Sequence, residues 1–243
     1  MRAHSAEDGF VAKTLVLVRK DLRAEARGRD TLPPMLAFAF SVSLLLAFTL
    51  PVELSATIRL PTGPFSVAVV ISGFLWITVL FAGLIGFART FEVEREEGAI
   101  DSLLLAPLDR SGLFVAKSMA NLVFVAVVEI LTFPLFALLF DLDLGTRWGS
   151  LLLVIALVDV GFVAVGTLFA SVAAQTRSRE LMLPILALPA LVPVFIAAVE
   201  LTADVFLGTG LGGVAERGWF GILIAYDVIF GIVGALAFEY AIE

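Results

Sequence analysis

Six apolar runs, each near or beyond the length that crosses a bilayer, fill most of this 243-residue chain. Phe65 to Phe87 carries no charge, Ser118 to Phe140 only Glu129, Trp148 to Ala174 only Asp159, Leu181 to Val199 none, and Trp219 to Phe238 only Asp227. Crossing about 30 Å of hydrocarbon takes roughly 20 helical residues, and these five runs suffice. Met35 to Leu50, bounded by Pro33, Pro34 and Pro51, reaches that length when Leu32 and Val52 are included. The runs are unbroken rather than alternating, and a helix satisfies its own backbone groups where no water can. The expected fold is therefore an all-α polytopic membrane protein with six transmembrane helices. A hydrophobic content of 60%, against about 45 to 50% in soluble domains, disfavours a large soluble core.

Basic residues set the orientation. With the N-terminus inside, Arg2, Lys13, Arg19, Lys20, Arg23, Arg27, Arg29, Arg89, Arg95, Arg110, Lys117, Arg177 and Arg179 fall in inner segments. Only Arg59, Arg147 and Arg217 fall outside. Thirteen against three is a positive-inside bias that puts both termini in the cytoplasm, and acidic residues contribute little to that rule. The net charge of −7 argues against a nucleic acid partner. The chain has no cysteine, and its one histidine, His4, lies in a polar stretch, so thiolate sites and cysteine nucleophiles are excluded.

About 30 polar residues precede the first apolar run, and no short apolar core with a small-residue cleavage site occurs, so no signal peptide is expected. Within residues 1–34, Val11, Leu15, Val18 and Leu22 fall on one helical face and Lys13, Lys20, Arg23 and Arg27 on others. This pattern predicts an amphipathic helix on the inner membrane surface, either a topology anchor or a contact for a cytoplasmic partner. Residues 35–243 are expected to form a single six-helix transmembrane domain.

The most patterned polar segment joins the second and third spans. Glu92, Glu94, Arg95, Glu96, Glu97 and Asp101 crowd around Gly98 and ahead of Leu103 and Leu104, and Ile100, Leu103 and Leu104 match i, i+3, i+4 spacing. Pro107 and Asp109 supply a stop and a turn. The spacing predicts a short amphipathic cytoplasmic helix from Glu92 to Leu105. Its acidic end disfavours an anionic leaflet, whereas a groove on another protein would bury its apolar stripe.

The run from Glu94 to Ser111, EREEGAIDSLLLAPLDRS, resembles the signature of the CcmB family, the membrane subunit of the ABC-type complex of cytochrome c maturation. Leu75 to Leu84, Gly166 to Ala170, Arg177 to Pro184 and Pro189 to Val194 are similar to the family as well. The resemblance implies an ABC-2-like, type V exporter-like permease in a bacterial inner membrane, working as a homodimer. Its implied partners are a separate CcmA-like ATPase, a CcmC-like haem-handling subunit, a CcmD-like single-span subunit and a CcmE-like haem chaperone. It further implies that Glu92 to Leu105 is the coupling helix. No G-x-x-x-x-G-K-[ST] loop occurs in the chain, so ATP is expected on the partner and the chain is not expected to be an enzyme. Haem enters as possible cargo. Axial ligation draws on His, Cys, Met or Tyr, and Met35, Met119 and Met182 lie at inner span ends where packing is expected. Trp148 and Trp219 fit interfacial anchors.

Glu129, Asp159 and Asp227 lie near mid-span, where an unpaired carboxylate costs about 2.5 to 3.5 kcal/mol on insertion scales. They are expected to face inward, either as part of a pathway or proton-sensitive site, or as neutral acids bonded to a hydroxyl or carbonyl. Pro184, Pro189 and Pro193 are expected to bend the fifth span. Gly83, Gly86, Gly166, Ala170 and Ala174 are expected to serve helix contact. Thr202 to Gly218, which contains Gly208, Gly210, Gly212 and Gly213, is expected to form an outer loop that dips back. Three other readings compete: an ABC-2 exporter for another cargo, a proton-coupled carrier, and an intramembrane aspartyl hydrolase using Asp159 and Asp227, for which no motif speaks.

Overall fold

The computed structural model describes residues 4–50, 57–60, 63–96, 110–142, 144–176 and 179–241. Seven α-helices are formed among them: α1 (His4–Gly28), α2 (Leu32–Thr49), α3 (Val67–Glu96), α4 (Arg110–Leu139), α5 (Trp148–Ala174), α6 (Arg179–Leu207) and α7 (Val214–Ala241). Helices α2 to α7 are the six long enough and apolar enough to span a membrane. The chain is a multi-pass, nearly all-helical membrane protein. An antiparallel pair of short strands, β1 (Thr57–Leu60) and β2 (Gly63–Ser66), leads into α3 with Thr57 opposite Ser66 and Leu60 opposite Gly63.

Helix α5 is the hub of the bundle. It contacts α3, α4, α6 and α7, and 67% of the residues in its spanning stretch are buried, against 22% in α2 and 17% in α7. Two glycines make its contact with α3. The Phe87 ring fills the space where a Cβ on Gly166 would stand, and the Phe162 ring does the same at Gly83. The two rings meet edge to face with centroids 5.0 Å apart, a favourable aromatic geometry. Gly86 likewise receives the side chain of Met35 from α2. These glycines are sockets for large side chains rather than points of close backbone approach. Trp76 is fully buried, and its indole Nε1 donates to Thr202 Oγ1 at 2.9 Å, joining α3 to α6.

Helix ends follow stop signals rather than hydropathy. Helix α6 runs through Pro184, Pro189 and Pro193 without interruption and continues to Leu207, so Thr202 to Leu207 are helical and only a short Gly208 to Gly213 connection precedes α7. This corrects the expected outer loop from Thr202 to Gly218. Gly208 adopts φ +74°, the left-handed turn that closes helices and suits glycine. Arg147 Nη1 donates to the Val205 and Phe206 carbonyls at 2.9 and 3.1 Å, which supplies partners for carbonyls left open at a helix end.

The first spanning helix begins at Leu32, with prolines in its first turn, where a missing N–H costs nothing. Its exposed amides are capped from α1. The Glu25 carboxylate accepts from Thr31 N at 3.0 and 3.1 Å and from Leu32 N at 2.7 Å. Helix α1 forms over the expected stretch, and its contact with the bundle mixes apolar and polar side chains. Val18 is buried and Leu22 partly so, but Leu15 is 51% exposed, and Thr14 and Glu25 turn inward.

Candidate functional site

Only the first part of the expected coupling helix falls among the described residues. Glu92, Glu94, Arg95 and Glu96 continue α3 as its last turns, so the acidic run starts as a direct extension of a spanning helix rather than as a separate element. Glu97, Gly98, Ile100, Asp101, Leu103 and Leu104 lie outside the described residues.

Where α3 leaves and α4 enters, a polar seam begins and runs along α4 toward mid-span. Its end nearest the α3–α4 connection is an ion pair: Lys117 Nζ lies 2.8 Å from Asp21 Oδ2, with side chains 3% and 10% exposed. Lys20 approaches the other Asp21 oxygen at 3.4 Å. The pair fastens α1 to the start of α4. One helical turn deeper, Thr90 Oγ1 donates to Asn121 Oδ1 and Asn121 Nδ2 donates to Thr167 Oγ1, both at 2.9 Å. All three side chains are buried. This chain of bonds crosses α3, α4 and α5, and it satisfies an amide that would be costly in lipid if left unpaired.

Farther in, Glu129 on α4 and Asp159 on α5 are 3% and 4% exposed, and both lie on the packed α4–α5 pair. The structure thus brings together two of the three acids singled out in the sequence. Both face the protein interior. The third, Asp227 on α7, turns elsewhere: its Oδ1 lies 2.6 Å from where a Cβ on Gly161 would stand. Its neighbour Tyr226 donates from its hydroxyl to the Ala190 carbonyl at 2.6 Å, tying α7 to α6, and stacks on Phe230 with centroids 4.3 Å apart.

Sequence reasoning missed Asp21, Thr90, Asn121 and Thr167. The available signal was Asn121 itself, because an amide within a span demands a partner as a charge does. Met35 is fully buried, and Trp148 is 39% exposed at the start of α5; both placements agree with packing and anchoring.

Comparison with known proteins fits this architecture. The family described as CcmB protein matches residues 12–243. Heme exporter protein B of Rhodobacter capsulatus is 30% identical over 186 residues, covering 76% of this chain and 80% of that protein. The protein of the same name from Paracoccus denitrificans is 28% identical over 184 residues, covering 76% and 79%, and that from Pseudomonas aeruginosa is 27% identical over 184 residues, covering 75% and 77%. The family match spans the whole membrane bundle together with most of α1, and the chain belongs to the CcmB family.

Proposed function

We propose that the chain is the membrane permease subunit of a haem exporter serving cytochrome c maturation, driven by ATP hydrolysis on a separate subunit. The carrying observation is the CcmB family match across residues 12–243 on a bundle of six spanning helices. Its relatives are named for haem export. The sequence has no phosphate-cradling G-x-x-x-x-G-K-[ST] loop, so nucleotide belongs to a CcmA-like ATPase. A CcmC-like haem-handling subunit, a CcmD-like single-span subunit, a CcmE-like chaperone and a second copy of the chain complete the assembly. Haem is cargo rather than a bound cofactor, and the ATPase stroke drives either its export or release of the chaperone. The excess of basic residues in one set of loops supports both termini in the cytoplasm, and the bacterial relatives support an inner-membrane location.

The geometry supports a mechanical route for coupling. Helix α3 carries the first acidic residues of the connection on an unbroken helix. A push on that connection therefore moves α3 as a rod. The Phe87 and Phe162 rings, seated in the Gly166 and Gly83 sockets, pass the displacement to α5, while the Thr90–Asn121–Thr167 bonds carry it to α4. Replacing both Leu103 and Leu104 with Asp is expected to release the ATPase from the affinity-purified permease while membrane insertion is kept. Undiminished co-purification of the ATPase, with normal cytochrome c maturation, would remove this segment as the docking site.

A further inference from the structure

The contact between α4 and α5 holds two carboxyl groups at mid-span and no cation beside them among the described residues. Its register is fixed by the bond from Asn121 Nδ2 to Thr167 Oγ1. The helices run antiparallel, so eight residues forward from Asn121 and eight back from Thr167 bring Glu129 and Asp159 to one depth, about 12 Å farther into the membrane. There both side chains are buried within the α4–α5 pair, 3% and 4% exposed. Glu129 Oε1, Glu129 Oε2 and Asp159 Oδ1 are each shut off from solvent and have no hydrogen-bond partner among the described residues.

The charged groups on the neighbouring elements do not relieve this. The spans of α2 and α3 carry no ionisable residue from Leu32 to Thr49 or from Val67 to Ala88. Asp21 of α1 and Lys117 pair with each other about 18 Å away along α4. Glu200 and Asp204 lie near the outer end of α6, and Asp227 of α7 rests against Gly161. Two carboxylates are acceptors only, so neither can satisfy the other, and both would repel across a medium of low dielectric. One added proton changes the chemistry: one carboxyl becomes an O–H donor and the other its acceptor.

We infer that Glu129 and Asp159 form a proton-binding site, in which a proton drawn from bulk water is held between a Glu129 oxygen and an Asp159 oxygen. Binding forms one O–H bond and one hydrogen bond, moves no electrons, and returns the proton to water on release. The proton ties α4 to α5 at mid-span. Its loss leaves like charges facing one another, so the helix contact responds to protonation. This inference rests on the two helices and stands apart from the identity of the cargo.

Infrared spectroscopy of the purified full-length protein tests it. The wild type is expected to show a protonated-carboxyl C=O band that disappears as pH is raised. The double variant Glu129→Gln/Asp159→Asn is expected to lose that band, and Asp227→Asn to keep it. Thermal melting of the same samples is expected to show wild-type Tm falling as the band is lost, with the double variant flat over that range. Absence of a titrating band in the wild type, an identical band in the double variant, or parallel pH slopes in the two proteins would each overturn the site. Should the double variant not accumulate, the single variants decide, because each removes one of the oxygens that share the proton. Each must then shift or abolish the band, and an unmoved band in both overturns the assignment.

Discussion

Replacing Lys117 with Met is expected to destabilise the protein by about 3 kcal/mol, the lower end of the range for removing one partner of a buried ion pair. The loss comes from Asp21, which is 10% exposed and which, among the described residues, keeps only Lys20, 3.4 Å away and 46% exposed, as a cationic neighbour. That residual partner keeps the effect at the low end. Removing both charges together, in Asp21→Asn/Lys117→Met, is expected to recover most of the stability, since no uncompensated charge remains. Thermal melting of the purified variants reads both effects. Equal destabilisation of the single and double variants would show that lost packing, rather than the unpaired carboxylate, is responsible. Because α1 meets the bundle chiefly along α4, protease access to α1 should rise in the single variant as well.

Gly166→Val is expected to be at least as damaging, at about 3 kcal/mol. A side chain at this position meets the Phe87 ring, and the ring has nowhere to go. Phe87 is 1% exposed and packs against Phe162, which in turn packs against Phe195 with centroids 5.2 Å apart. Overpacking at Gly166 therefore pushes on α3, α5 and α6 at once. Combining Gly166→Val with Phe87→Leu is expected to restore part of the loss by reopening the socket. Detergent-resistant melting or accumulation in membranes measures it, and no rescue by Phe87→Leu would place the cost elsewhere.

The six spans were legible in the sequence because hydropathy reports where the hydrocarbon is. It does not report where helices end. Arg89 to Glu96 leaves the apolar pattern, yet it contains neither glycine nor proline, so α3 simply continues through it. Glu200 and Asp204 lower the hydropathy of α6 in the same way, and the true stop is Gly208 with its left-handed backbone. The seating of α1 has a related cause. Apolar spacing put Leu15 on a membrane-facing stripe, whereas the face that meets the bundle is chosen by polar partners, Asp21 to Lys117 and Glu25 to the start of α2. Counting basic residues for orientation drew no attention to the acids that fix the helix in place.

The candidate site was legible residue by residue and not as a site. Glu129, Asp159 and Asp227 stand out in any apolar run, whereas the pairing of the first two depends on the register of α4 against α5. That register is set by Asn121 and Thr167, whose partnership no local pattern encodes. The glycines carry a similar lesson. Their spacing pointed to helix contact, which is right, but the aromatic rings that fill them come from Phe87 and Phe162 on the facing helices. Long-range packing decides such matches.

The most direct measurement is the level of covalently haem-bearing cytochrome c in cells from which this chain has been deleted, with and without the chain supplied in trans. A permease subunit of the cytochrome c maturation exporter predicts loss of holocytochrome c on deletion and its recovery on complementation. Full holocytochrome c in the deleted cells would contradict the account.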